Sequence, residues 1–224
     1  MSFLIILTIT VGLFLDATFP GWGQVVTNVW VWSFFIWMVY RAKGAERTSL
    51  LVCLVFATLG EILASPIWGL YDYKYGSIPL FVFPGHCMLY TLGVTVSKRL
   101  PKQVVWLVPG IALPYILFAV ISGFDTESIL WFTIFLLCLK FGPAKKLYAT
   151  MFVLALVMEL YGTWLGNWTW RSVVPWLGLS STNPPACAGA IYCLLDLAVT
   201  TVTPWFSGAR SLKAEDSHSS SRVS

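Results

Sequence analysis

Charge is what this sequence has least of. Only 11% of its 224 residues are Asp, Glu, Lys or Arg, 58% are hydrophobic, and the mean hydropathy is +0.77. A water-facing domain carries roughly 25% charged residues, so a soluble single-domain fold, a disordered chain and a coiled coil are excluded. A polytopic membrane protein remains. Histidine is nearly absent, with His86 and His218 alone, which excludes a histidine-rich di-iron centre and a bis-histidine haem. The five cysteines form no C-x-x-C pair and read as small buried hydrophobes. There is no Asp-rich magnesium motif for a prenyl diphosphate and no G-x-S-x-G elbow. No basic face is continuous, so nucleic acid is not an expected partner.

What is present is a series of apolar runs, at about 2–19, 24–40, 49–70, 79–97, 104–122, 128–140, 147–166 and 185–207. A helical span takes about 20 residues; the sixth run is short and would need Phe141 or a locally thinned bilayer. The first run has no basic flank and reads as a retained helix. All but two of the fourteen lysines and arginines follow the even-numbered runs; Lys74 and Arg171 are the exceptions. The positive-inside rule then puts both termini in the cytoplasm. The expected fold is all-α and integral to the membrane, multi-pass, in the inner membrane if the source is bacterial. It is a single transmembrane domain over 1–207, with eight helices in two parallel four-helix repeats, about 1–103 and 104–207. Residues 208–224 read as a disordered cytoplasmic tail.

The repeat rests on the third and seventh runs. Glu61 is followed by Ala64, Ser65 and Gly69-x-Tyr71-x-Tyr73; Glu159 is followed by Gly162, Thr163 and Gly166-x-Trp168-x-Trp170. Proline-bearing helix starts come next, with Tyr90 and Tyr192 a turn or two beyond. Repeats of this kind build sites at the interface of the halves. Five acidic or imidazole groups fall inside runs, namely Asp16, Glu61, His86, Glu159 and Asp196, and no lysine or arginine does apart from Lys140 at the very end of the sixth. Intramembrane ionisable residues are expensive and mark functional sites. Glu61, His86, Glu159 and Asp196 are therefore expected to share one dry pocket. Their ligand types would also suit a metal, but no metal and no cofactor are expected. Trp68, Tyr71, Tyr73, Tyr90, Trp164, Trp168, Trp170 and Tyr192 are the candidate substrate-lining aromatics, although an interfacial aromatic belt explains many tryptophans as well. The sequon Asn167-Trp168-Thr169 falls at the end of a run and reads as incidental.

A dry carboxylic acid can protonate an alkene or epoxide, and electron-rich aromatic faces can stabilise the resulting cation. The run Glu61…Ala64…Gly69-x-Tyr71-x-Tyr73…Pro79-Leu-Phe-Val-Phe-Pro84 resembles the membrane carotenoid hydratases over about residues 61–90. That resemblance implies a polyene or isoprenoid substrate and carboxylate acid chemistry. The expected activity is acid-initiated hydration, cyclisation or isomerisation of a hydrophobic lipid or isoprenoid, with membrane lipids as the other partners. Glu61 or Glu159 is the expected acid, with Asp196 or His86 placing water or taking the proton back. Two other classes stand beside this one: a proton- or cation-coupled transporter with a midplane site, and a non-catalytic membrane scaffold.

Overall fold

The computed structural model describes residues 1–207; the expectation of a disordered tail lies outside the described residues. Eight α-helices run through them: α1 Ser2–Thr18, α2 Trp22–Arg41, α3 Gly44–Ile62, α4 Val82–Arg99, α5 Val104–Ile121, α6 Glu127–Phe141, α7 Lys145–Leu165 and α8 Gly189–Phe206. Each coincides with one of the apolar runs. Four of them are long and apolar enough to cross a membrane: α3 with its extension to Trp68, α5, α7 and α8. α1 is an apolar helix of 17 residues. The mean hydropathy of α4 falls because it carries Lys98 and Arg99 in its last turn and His86 near its start, and α6 has only 15 residues.

The helix ends follow from local chemistry. Arg47 folds back over the end of α2 and donates to the carbonyls of Val39, Tyr40 and Ala42 at 3.0–3.2 Å, which occupies acceptors the last turn leaves open. Pro66 cannot donate an N–H or fit beneath the carbonyl four residues back, and α3 widens there into a π-helical turn over Leu63–Trp68. Gly69 then ends it with φ 75°, and Gly166 ends α7 with φ 77°. Glycine takes this left-handed conformation without the steric cost other residues meet.

Each of these stops leads into a three-residue strand, β1 Tyr71–Tyr73 after α3 and β2 Trp168–Trp170 after α7. They pair antiparallel, Tyr71 against Trp170, Asp72 against Thr169 and Tyr73 against Trp168. Strand side chains alternate faces. The four aromatics consequently point inward and are buried, while Asp72 and Thr169 face out.

Beneath this small sheet, α3, α4, α7 and α8 form a closed inner ring in which α3 and α7 each pack on both α4 and α8. At Gly189 the backbone of α8 comes so close to Phe152 that a Cβ would overlap the α7 carbonyl. The outer pairs follow the ring less regularly: α1 and α2 lie on α4, whereas α5 lies on α7 and α6 on α7 and α8. Their outward faces are apolar and open, with Ile111, Phe118 and Ile121 62–83% exposed. Such continuous exposed hydrocarbon is foreign to soluble monomers and suits a lipid-facing wall.

Candidate functional site

Glu61 and Glu159 meet the two aromatic strands. Glu61, at the end of α3, accepts hydrogen bonds at Oε2 from the hydroxyls of Tyr71 (3.0 Å) and Tyr73 (2.7 Å). Glu159, near the end of α7, accepts at Oε2 from the indole N–H groups of Trp168 (2.8 Å) and Trp170 (3.0 Å). Each glutamate thus takes the pair of donors from the strand its own helix leads into. The G-x-aromatic-x-aromatic spacing explains why. Period-two alternation places both aromatics on the inner face, and the glycine turn folds that face back over the helix end.

The second carboxylate oxygens reach the other inner helices. Oε1 of Glu61 lies 3.0 Å from Nε2 of His86 on α4, and Oε1 of Glu159 accepts a 2.9 Å bond from the Tyr192 hydroxyl on α8. The His86 and Tyr192 rings sit 5.1 Å apart, centre to centre. One network therefore links α3, α4, α7, α8 and both strands. Burial, and after it the charges of Glu61 and Glu159, push the Tyr71 hydroxyl well above the usual phenol range; burial and then Glu61 do the same for Tyr73. Both stay protonated donors.

All of these groups except Trp170, which the sequence pattern also placed at the site, line a cavity of about 60 Å³. Glu61, His86, Glu159, Trp168 and Tyr192 are among its polar lining, and Thr8, Gly12, Thr27 and Val31 of α1 and α2 complete part of its wall. A water needs roughly 10–15 Å³ on this measure, so the space suits a few waters or a short piece of hydrocarbon. Gly162 keeps the arrangement compact: a Cβ there would overlap the six-membered ring of Trp168. The wall residues from α1 and α2 escaped the sequence reading. The only signal was small and hydroxyl residues on one face of two apolar helices.

The expectation that four ionisable groups share this pocket needs correction. Glu61, His86 and Glu159 do; Asp196 does not line the cavity. It is fully buried one turn further along α8, and both its carboxyl oxygens lack a hydrogen-bond partner. The physical reason is helical pitch: position i+4 from Tyr192 keeps the same face but descends about 6 Å. Tyr90 is drawn to the same lower layer, beside Ser49 and Cys53. Trp68 also lies apart, donating to the Pro175 carbonyl at 3.1 Å and stacking on Trp176. Trp164 is 78% exposed and packs on Tyr161, as an interfacial residue does. Asp16 is engaged elsewhere: its Oδ2 accepts a 2.7 Å bond from the Asn167 amide, which also donates to the Leu13 carbonyl, while its Oδ1 is buried without a hydrogen-bond partner. With Asn167 1% exposed, the sequon offers no accessible amide. Among the described residues, no three His, Cys, Asp or Glu side chains converge to hold a metal ion.

No family model matches the chain, and no curated protein or solved structure matches it significantly.

Proposed function

We propose that this chain is an eight-span membrane enzyme that transfers a proton to and from an apolar, isoprenoid-like substrate at the Glu61–His86 pair. The observation that carries this reading is the unlike pairing of the two glutamates that line the cavity. Glu61 shares a hydrogen bond with His86, a group able to hold or release a proton, and His86 lines the cavity with its side chain 14% exposed. Glu159 is bound by two indoles, which can only donate, and by Tyr192. Neither indole can relay a proton. Two carboxyl groups in one site with unlike surroundings take unlike roles.

The chemistry follows. A proton leaves the Glu61–His86 pair for one carbon of an alkene, and positive charge develops on the neighbouring carbon. Glu159, fixed by its donors, and the Tyr71, Tyr73 and Trp168 faces stabilise that charge; such aromatic faces contribute about 2 kcal/mol or more when dry. Loss of a proton back to the pair completes an isomerisation; capture by water followed by loss of its extra proton to the pair completes a hydration; attack by a second alkene moves the positive charge to a new carbon, and loss of a neighbouring proton to the pair completes a cyclisation. Only the reacting segment of such a substrate fits the cavity.

One observation bears against the transporter alternative. Below the cavity, α7 presents Ala155, Phe152, Met151 and Tyr148, all buried, which suits a closed floor better than a route to the far side. The test compares non-polar lipid extracts of cells expressing the parent or Glu61→Gln at equal protein level. A lipid present with the parent and at least tenfold depleted with the variant supports the enzyme. Extracts that do not change even when the whole protein is removed would falsify it.

A further inference from the structure

A second cleft lies at the other end of the molecule and is independent of the proposed chemistry; it rests only on the chain being a membrane protein. It is a groove of about 800 Å³ between the α4–α5 and α6–α7 turns, and Lys102, Gln103, Trp106, Lys145 and Lys146 are in its wall. No acidic side chain lines it among the described residues. Lys146 donates at 2.8 Å to the Leu100 carbonyl across the groove, which fixes its ammonium there while two of its three donors stay uncommitted by that bond. Lys145 and Lys146 occupy the first turn of α7, where basic residues oppose the helix dipole. Neither α5 nor α7 has a side-chain cap at this end.

We infer that this groove binds the headgroup of an anionic phospholipid. Charge complementarity asks for an anion. The surroundings decide between a lipid and a free phosphate. Trp106 in the groove wall is 63% exposed, and Leu107 and Ile111 continue outward along α5 at 40% and 76%. An acyl chain leaving the headgroup meets this apolar strip, which a soluble anion would leave uncovered. The groove also sits at the ends where lysine and arginine concentrate, the side that faces anionic lipids in the cytoplasmic leaflet.

The experiment uses the full chain purified in a neutral detergent. Phosphatidylglycerol, phosphatidylcholine with the same acyl chains, or inorganic phosphate is titrated in, and bound lipid and thermal unfolding are both read. Phosphatidylglycerol is expected to bind and raise the unfolding temperature, with phosphatidylcholine and phosphate giving far less. The double variant Lys102→Gln/Lys145→Gln, at two exposed positions, should weaken phosphatidylglycerol binding on the order of tenfold and leave the lipid-free unfolding temperature unchanged. Arg41→Gln/Lys43→Gln, at the end of α2, should leave binding as in the parent. Equal binding of both lipids, full retention in the Lys102/Lys145 variant, or an equal effect from phosphate alone would overturn the inference.

Discussion

At Glu159 three donors converge on one buried carboxyl, and that geometry sets what each substitution does. Glu159→Gln keeps an oxygen for the two indoles and turns its amide towards the Tyr192 hydroxyl, which can accept as well as donate. The expected result is a folded protein. Glu159→Leu leaves three buried donors without partners, at about 1–3 kcal/mol each. Denaturation in detergent should therefore show the leucine variant several kcal/mol less stable than the glutamine variant. Equal stability of the two would mean that the donors find other partners. The contrast between the glutamates was only half legible in the sequence. The shared Glu…Gly-x-aromatic-x-aromatic pattern pointed to both positions. Which of them meets an imidazole depends on the rotation of α4 and α8, and spacing within α3 or α7 carries no record of that. Asp196 shows the same limit: its position on the right face of α8 says nothing of the layer its carboxyl reaches.

The two strands are the elements that turn separate helices into a site, and Arg171 and Asp72 fasten them from outside. Arg171 follows β2 and donates from Nε and Nη2 to the two carboxylate oxygens of Asp72 on β1, both at 3.0 Å. Those hydrogen bonds hold the Asp72 carboxyl below its usual range. The folded state thus favours the carboxylate more than the unfolded chain does. The stabilisation is fully present above the ordinary aspartate pKa of about 3.9 and is lost as pH falls through the lower folded value. Both side chains are about half exposed or more, so the effect is small and salt-sensitive. Thermal unfolding should place Asp72→Asn slightly below the parent at pH 7 and level with it once the parent's carboxyl is protonated. A gap that persists unchanged into that acid range would contradict the assignment. The strands themselves were unread in the sequence. Three residues are too few for alternation to be told from loop, and their pairing joins positions 99 apart, Tyr71 to Trp170.

For the whole molecule, the helix positions were the most legible feature, because apolar runs of the right length leave the chain few other solutions in a bilayer. The arrangement of those helices was less so: α1 and α2 both lie on α4, with α1 reaching α7 as well, whereas α5 and α6 both lie on α7, and outer-face composition does not say where each docks. One consequence of the packing is open to direct measurement. All five cysteines are free and no more than 3% exposed. A membrane-impermeant maleimide should leave the native protein unlabelled and modify all five thiols after denaturation; rapid native labelling of any one would mean a looser bundle. The proton-transfer reading has its own direct measurement. Cells expressing the parent or Glu61→Gln are grown in deuterated water on a hydrogen-containing carbon source, then chased with unlabelled precursor, and the lipid lost in the variant is isolated by mass. If Glu61 and His86 deliver a solvent-derived proton to carbon, that lipid gains one carbon-bound deuterium relative to its precursor. A product formed with no deuterium beyond that of its precursor would contradict proton transfer as the step this site performs.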